Sequence, residues 1–240
     1  MRIRKTLAAI LCIIYTAYCC PVALFASTIS GITPEGNTYN IEADKVSGDT
    51  GFRSYDTFQL DDGDVANLNF TSKDLGDYGS FINMVGSEVQ INGIVNTVRG
   101  SDFFGGRAIF VSPSGIVIGA TGVLNVGSLN LLSTSDFDSL KNAYDGTAGD
   151  IDDYSYGADG YKGLVSDANG NIVMSGAVLS RDEVIADASS ISVGGDATTV
   201  TKGENGIVAG WNDDAQVFDK RQSAVWPHCP MRRLRNHRSR

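Results

Sequence analysis

The body of this chain, residues 27–219, contains no cysteine and no histidine. The four cysteines and two histidines all lie outside it, at Cys12, Cys19, Cys20, Cys229, His228 and His237. A secreted domain needs disulfides mainly when its core is too small to hold it, so we expect packing and backbone pairing to hold this body. Without histidine the body lacks the usual general base, and we expect no catalytic group, no metal or cofactor site and no enzyme activity.

Long apolar runs are absent as well. The longest comprises residues 7–18, which is shorter than the roughly 20 residues of a membrane-spanning helix. It follows a basic start, MRIRK, and precedes the small residue Ala26. This pattern predicts a secretory signal peptide that is cleaved after Ala26. The alternative is lipid attachment at Cys19 or Cys20, which the bulky Tyr18 disfavours.

Basic residues are scarce in the body, which has 28 acidic and 9 basic residues. Such a negative surface disfavours nucleic acid and anionic membranes as partners. The tail, residues 220–240, instead has seven basic residues and no acidic one. We interpret it as the product of a frameshift or an early stop in a longer gene, because the composition changes abruptly there. The other interpretation is a basic patch for nucleic acid or a surface anchor.

Short apolar runs, cut by Gly, Asn, Asp and Ser, fill the body. Residues 107–111, 115–119, 122–132 and 170–179 are rich in Val and Ile and are bounded by turn formers, which predicts strands. Apolar and small polar side chains alternate clearly within residues 122–132, so that one set is expected to point inward.

Loose repetition at about 20 residues, without long helices, predicts a solenoid of the parallel β-helix type. Residues 124–127 (LNVG) and 191–194 (ISVG) are interpreted as one motif used twice. Gly and Asn are expected at the corners of the coils. A β-sandwich is the alternative, and the scarcity of two-residue Asn-Gly or Asp-Gly links disfavours it.

Residues 136–163 interrupt the strand pattern. Residues 136–144 predict two helical turns, with Ser135 or Asp136 as the capping residue. The remainder, rich in Asp, Gly and Tyr, predicts an exposed loop.

The chain is therefore expected to divide into six parts. These are the signal peptide (1–26), an N-terminal cap with the first coils (27–78), core coils (79–135), an acidic helical and loop insertion (136–163), further coils (164–219) and the basic tail (220–240).

Five pieces follow one another within residues 31–135. They are GFRSYDTF (51–58) with VANL (65–68), FINMV (81–85) with ING (91–93), GGRAIFV (105–111), SPSGIVIG (112–119) and GVLNVGSL (122–129). Their order, behind a signal peptide, resembles the two-partner secretion domain of filamentous haemagglutinins, especially of leukotoxin-type filamentous adhesins.

The resemblance marks two sets of site residues. The first is a secretion-motif turn, formed by Ser112, Pro113, Ser114 and Gly115. The second is a motif core, formed by Phe81, Asn83, Ile91, Gly93, Gly105, Gly106, Asn125 and Gly127. The family's turn is usually Asn-Pro-Asn-Gly, and a serine hydroxyl can replace the asparagine by bonding a neighbouring amide. The Asn-Pro-Asn-Leu box of some haemagglutinins is missing from residues 60–80. The turn is expected to be a coil corner, a recognition element for the transporter, or both.

The resemblance implies a right-handed parallel β-helix, a single-stranded solenoid, and a route of secretion. Such a protein crosses the inner membrane, meets an outer-membrane β-barrel transporter whose POTRA domains bind it in extended form, and folds at the cell surface. Family members continue for many hundreds of residues, so a host glycan or other cell-surface ligand would be bound downstream. Because an open sheet edge invites aggregation, residues 29–70 are expected to form a capping region.

Two acidic clusters, residues 61–64 (DDGD) and 150–153 (DIDD), carry the alternatives to this function. Paired carboxylates on a β-helix could serve a polysaccharide-active enzyme, and several oxygen ligands could hold calcium. Neither cluster has the ligand spacing of a calcium loop, and solvated acidic loops are the simpler interpretation. A third alternative is a short surface protein that binds glycans directly.

Overall fold

The structure, a computed structural model, describes residues 27–157, 160–161, 168–193, 198–200, 211–212, 217–218 and 235–236. The expected signal peptide, and the expected tail apart from residues 235–236, lie outside the described residues. Within them the fold is all-β, as the sequence predicts, with three largely parallel sheets and one short helix. This arrangement is compatible with a β-helix-like fold.

The strands are short throughout, and Gly, Asn, Asp and Ser commonly stand at their ends. In chain order they are β1 (Thr28–Ile29), β2 (Thr38–Ile41), β3 (Lys45–Ser47), β4 (Thr50–Tyr55), β5 (Phe58–Leu60), β6 (Val65–Asn69), β7 (Thr71–Ser72), β8 (Gly76–Asp77), β9 (Ser80–Val85), β10 (Val89–Ile91), β11 (Ile94–Arg99), β12 (Asp102–Phe103), β13 (Arg107–Ser112), β14 (Ile116–Ile118), β15 (Val123–Val126), β16 (Ser128–Ser133), β17 (Tyr156–Gly157), β18 (Gly160–Tyr161), β19 (Asn171–Met174), β20 (Ala177–Ser180), β21 (Val184–Asp187), β22 (Ser190–Val193), β23 (Thr198–Val200), β24 (Trp211–Asn212), β25 (Val217–Phe218) and β26 (Arg235–Asn236). Helix α1 (Phe137–Asp145) and a 3₁₀ helix (Ile151–Tyr154) lie between β16 and β17.

The chain visits the three sheets in rotation. Sheet A has the order β1-β5-β10-β14-β19-β22, sheet B the order β2-β6-β11-β15-β20-β23, and sheet C the order β26-β21-β16-β13-β9-β4-β3. One strand from each sheet, taken in chain order C, A, B, makes a coil. Coil 1 is β4-β5-β6, coil 2 is β9-β10-β11, coil 3 is β13-β14-β15, coil 4 is β16-β19-β20 and coil 5 is β21-β22-β23. Neighbouring coils pair in parallel, which does not support the β-sandwich alternative.

The length of a coil agrees with the expected repeat of about 20 residues only in the later coils, where Asn171 pairs with Ser190 and Ala177 with Thr198, 19 and 21 positions apart. In sheet B, Val65 pairs with Ile94 and Ile94 with Val123, so that equivalent positions in coils 1 to 3 are 29 residues apart. The expected equivalence of 124–127 with 191–194 is also wrong, because residues 124–126 belong to β15 in sheet B and residues 191–193 to β22 in sheet A. Similar strands recur in this fold on different sheets, and the corner lengths vary between them.

The inward side chains form one continuous core along the coils. In sheet B, Ala66, Val95 and Leu124 stack at one register position, and all three are fully buried. Two sets of aromatic rings fill the early coils. Phe58 packs edge-on against Tyr55 and Phe110, and the rings of Phe70, Tyr78, Phe81 and Phe104 form a second group.

Antiparallel strands cover the N-terminal end of two sheets. β1 runs antiparallel to β5 at the edge of sheet A, and β3 runs antiparallel to β4 at the edge of sheet C. Arg53 reaches the same end, where its guanidinium pairs with Asp44 at 2.8 Å and bonds the carbonyl of Glu42. An edge whose strands are already paired is protected from joining another chain, and this N-terminal cap lies within the residues where one is expected.

The insertion between β16 and β19, the first two strands of coil 4, is not simply an exposed loop. The N-cap of α1 is Asp136, but its side chain makes no capping hydrogen bond, and the helix ends at Gly146 in the left-handed conformation. Phe137, Leu140 and Ala143 lie on the buried face of the helix. Two of them, Phe137 and Leu140, pack against the outer face of sheet C, and the helix confirms the two turns predicted at residues 136–144. The predicted exposed loop is only partly exposed, because Ile151, Tyr154 and Tyr156 pack against the same cluster.

The aromatic core gives a direct test of the fold. Replacing Phe81 with Ala is expected to lower the free energy of unfolding by about 3–5 kcal/mol, because the ring is fully buried against Phe70 and Tyr78. Leu75→Ala is the control, since that side chain is 41% exposed, and we expect a change within about 0.5 kcal/mol. Urea denaturation measures both. Equal effects of the two substitutions would contradict the stacked core.

Candidate functional site

The expected secretion-motif turn connects β13 in sheet C with β14 in sheet A. The Ser112 hydroxyl accepts a hydrogen bond from the backbone amide of Ser114 at 3.1 Å and donates one to the carbonyl of Ser87 at 2.7 Å. The hydroxyl therefore makes the local bond that an asparagine would make in the family's turn. It also ties the corner of coil 3 to the corner of coil 2.

The turn is packed between its neighbours on both sides. The side-chain amide of Asn169 donates to the carbonyl of Pro113 at 3.3 Å, and the Gly115 carbonyl accepts from the amide of Val89 at 3.1 Å. Gly115 has φ +110°, and a Cβ there would lie 2.6 Å from the carbonyl oxygen of Asn171. Glycine is therefore required at this corner. Within the turn only Ser114 is exposed.

The motif-core residues occupy different parts of the coils. Phe81 and Ile91 are fully buried in the main core. Gly93 lies at the corner between sheets A and B, and its amide donates to the Leu60 carbonyl. The other three glycines, Gly105, Gly106 and Gly127, lie at the corner between sheets B and C.

Close backbone approach explains the glycine at one of these corners. A Cβ on Gly127 would overlap the carbonyl oxygen of Gly105, the equivalent corner of the preceding coil. Gly106 is limited in the same way by the ring of Phe70. The structure thus brings Gly105, Gly106 and Gly127 together, while the turn at residues 112–115 lies at another corner. The marked glycines therefore lie at corners of the coils, whereas Phe81 and Ile91 lie in strands and face the core.

The expected placement of asparagines at corners is wrong for the two in the motif core. Asn83 lies in the middle of β9 and is fully buried inside the coils. Its side-chain carbonyl accepts a hydrogen bond from the Tyr55 hydroxyl at 2.9 Å, and its amide donates to the carbonyls of Phe81 and Ile109. An amide buried in a core needs such partners, and here they link coils 1, 2 and 3.

Asn125, also in mid-strand, belongs to an asparagine ladder on the outer face of sheet B. Asn125 donates to the side-chain carbonyl of Asn96 at 3.1 Å, Asn96 donates to Asn67 at 3.1 Å, and Asn67 donates to Asn40 at 3.2 Å. Asn96 and Asn125 are fully buried. The ladder is not predicted in the sequence analysis, although the regular interval of 29 residues between Asn67, Asn96 and Asn125 indicates it.

A cation closes the ladder at its C-terminal end. The Arg181 guanidinium donates to the side-chain carbonyl of Asn125 and lies 3.7 Å from the centre of the Phe103 ring. Burial lowers the pKa of Arg181 to about 10, so the side chain remains protonated at neutral pH. A charged donor at one end polarises the amides that follow it.

The ladder predicts a graded response to substitution. Asn96→Ala is expected to lower the free energy of unfolding by about 1–3 kcal/mol, because it removes the acceptor of the buried Asn125 amide and the donor to the Asn67 carbonyl. Asn40→Ala, at the exposed end of the same ladder, is the matched control and should cost less than about 1 kcal/mol. Chemical denaturation compares the two. A cost at Asn40 equal to that at Asn96 would show that the buried bonds do not matter.

Tyr78 joins the N-terminal cap to coil 1. Its hydroxyl accepts a hydrogen bond from the amide of Ala43 at 2.9 Å and donates one to the carbonyl of Asn69 at 2.5 Å. Burial raises the pKa of Tyr78 to about 12, with the negative charges of Glu42 and Asp44 adding to the rise. The hydroxyl is therefore neutral, as a donor must be, across the physiological range.

Alkaline pH is expected to weaken this connection. The folded pKa of Tyr78 lies above the unfolded value of about 10, so its contribution to stability is complete below pH 10 and is lost as the pH rises through 12. We predict that the free energy of unfolding falls between about pH 10 and 12, and that it falls less in Tyr78→Phe. Tyr55 and Tyr144, whose pKa values are also raised by burial, add to the fall in both proteins. Identical slopes for the wild type and Tyr78→Phe would contradict the prediction.

The two acidic clusters have structural partners. The Asp64 carboxylate accepts from the hydroxyl of Ser27 at 2.5 Å, and partial burial beside Asp64 raises the pKa of Asp61. Asp150 accepts from the amide of Asp152 at the start of the 3₁₀ helix, and Asp152 accepts from the hydroxyl of Ser47. In the part of the chain that the structure describes, no group of three or more His, Cys, Asp or Glu side chains is placed to hold a metal ion.

Two further findings concern membrane-spanning helices and similarity to known proteins. None of the helices in the described ranges is long and apolar enough to cross a membrane. No protein-family model and no curated protein matches this chain.

Proposed function

We propose that this chain is the N-terminal secretion domain of a large exported adhesin. In this proposal an outer-membrane transporter of the two-partner type binds it through periplasmic POTRA domains. The chain then folds at the cell surface as a right-handed parallel β-helix, a single-stranded solenoid. The observation that carries the proposal is the rotation of the chain through three parallel sheets, with the motif glycines at the corners.

The pairing of the coils suits export in a line. Each strand of coils 2 to 4 pairs with the equivalent strands of the coils before and after it. A chain of this kind adds coils to an end that has already formed. The N-terminal cap provides the first formed end, because β1 and β3 pair with coil 1. No cysteine in the body can cross-link it while it crosses an oxidising compartment.

An extended chain also offers what a transporter needs. Strand addition uses main-chain hydrogen bonds for affinity and alternate side chains for register. In the folded protein these main-chain groups are used between coils, and the Ser112–Gly115 turn is packed against coils 2 and 4. Recognition in this proposal therefore precedes folding.

Secretion with and without a transporter tests the proposal. The full chain is co-expressed in a Gram-negative host with a two-partner transporter, and the medium and periplasm are assayed by immunoblot. We expect export to the medium only when the transporter is present. The transporters to test are those encoded beside a chain with the five motif pieces. If the chain remains in the periplasm with each of them, the proposal is refuted.

Matched variants separate recognition from folding. The double variant Pro113→Ala/Ser114→Ala is expected to reduce export about tenfold, because it changes the proposed recognition turn. Both positions are at least partly exposed, so the folded structure tolerates the change. Leu75→Ala, in another exposed turn, should be exported normally. Phe81→Ala should reach the medium in a protease-sensitive form, since its defect is in the folded core. Normal export of the turn variant would remove Ser112–Gly115 from recognition without affecting the fold assignment.

A further inference from the structure

The insertion leaves coil 4 and returns to it at nearly the same place. Thr134, just after β16, forms an antiparallel bridge with Ala168, and the amide of Asn169 donates to the carbonyl of Ser133 at 2.9 Å. The described residues between these contacts, 135–157 and 160–161, are therefore an excursion from the coil.

Residues 135–157 of this excursion cross the outer face of sheet C. Its helix and the strands beneath form one buried apolar cluster of residues from coils 1 to 4. The members are Phe52, Ile82, Met84, Ile109, Val111, Leu132, Phe137 and Leu140. Tyr144, Ile151, Tyr154 and Tyr156 pack against the same cluster. A surface helix of this length is held by its packed face rather than by its own propensity.

Polar contacts then fix the far end of the excursion to the N-terminal cap. The Tyr144 hydroxyl donates to the Asp44 carboxylate at 2.9 Å, and Asp44 is the partner of Arg53. Lys45 donates to the carbonyl of Tyr144. These residues are about 100 positions apart in the chain.

A second pair of contacts comes from the 3₁₀ helix and from the strand that follows it. Ser47 donates to the carboxylate of Asp152. The Thr50 hydroxyl accepts from the amide of Tyr156 at 3.0 Å and lies 3.4 Å from its carbonyl. Thr50 is fully buried and begins β4, so these bonds attach the insertion to the start of coil 1.

We propose that residues 135–156 act as a clasp that joins the N-terminal cap and coils 1 to 4 into one cooperative unit. In a simple solenoid each coil touches only its neighbours, and the terminal coil can open alone. Here coil 1 contacts a segment that follows coil 4's first strand, so the cap hairpin β3–β4 is fully protected only when the clasp is closed. The proposal concerns stability and opening, and it does not depend on the secretion role.

Hydrogen–deuterium exchange of the full chain tests the clasp. Tyr144→Phe removes the hydroxyl that bonds Asp44 and keeps the ring in the apolar cluster. We expect amide exchange in residues 44–54 to become about five- to tenfold faster, because opening of the cap no longer has to break this charge-assisted bond. Exchange in β13, residues 107–112, should remain within twofold of the wild type.

The control is Asp145→Asn in the same helix. It removes the ion pair with Lys141, four residues earlier, which does not contact the cap. We expect exchange in residues 44–54 to stay within twofold of the wild type. Faster exchange in this control equal to that of Tyr144→Phe would indicate general loss of the helix and would overturn the specific contact proposed here.

A larger change tests the unit as a whole. Residues 137–156 are replaced by a Gly/Ser segment of equal length, which keeps the Thr134–Ala168 bridge. We expect residues 44–54 to lose protection well before coils 2 and 3 in rising urea. If both this chain and Tyr144→Phe keep wild-type exchange in residues 44–54, there is no clasp. If the replaced chain fails to fold because the outer face of sheet C is bare, the Tyr144→Phe comparison decides alone, in either direction.

Discussion

In-register pairing between coils is the constraint on which the rest of this structure depends. Val65, Ile94 and Val123 occupy one register position on three successive strands of sheet B. Because the side-chain period of a strand is two, a slip of one residue would turn every core side chain outward. The same constraint places asparagines above one another, so that Asn67 and Asn96 meet through their side-chain amides. Stacking of equivalent positions therefore builds both the apolar core and the polar ladder.

The outer faces of the three sheets are treated differently. Sheet C carries apolar side chains on its outer face, such as Ile82 and Ile109, and helix α1 covers them. Sheet B has an outer apolar row that includes Ile94, beside the asparagine ladder. Sheet A has strands of two to four residues with outward positions that are more polar, such as Gln59 and Gln90. The insertion is therefore part of the hydrophobic interior, and its removal would expose a face that pairing between coils cannot hide.

The strands and their parallel arrangement could be predicted because short apolar runs between turn formers determine them locally. The length of coils 1 to 3 could not be predicted, since the corners differ in length and the strands of sheets A and B look alike in sequence. The turn preference of asparagine predicts corner positions. Asn83 and Asn125 instead form hydrogen bonds with side-chain partners that are in reach only after the coils stack. The packed face of α1 was visible in the spacing of Phe137 and Leu140, although not the sheet against which it packs.

The turn at Ser112–Gly115 illustrates how one segment can carry two constraints at different times. In the folded protein Gly115 is fixed by the backbone of Asn171, and Pro113 accepts from Asn169, both from coil 4 or the residues just before its second strand. These contacts cannot form until about 55 further residues have joined the structure. Before that point the strands on either side of the turn are unpaired on the edge that coil 4 later covers, and strand addition uses such an edge. In the proposed function, the turn would therefore be a recognition element in the extended chain and a coil corner in the folded one.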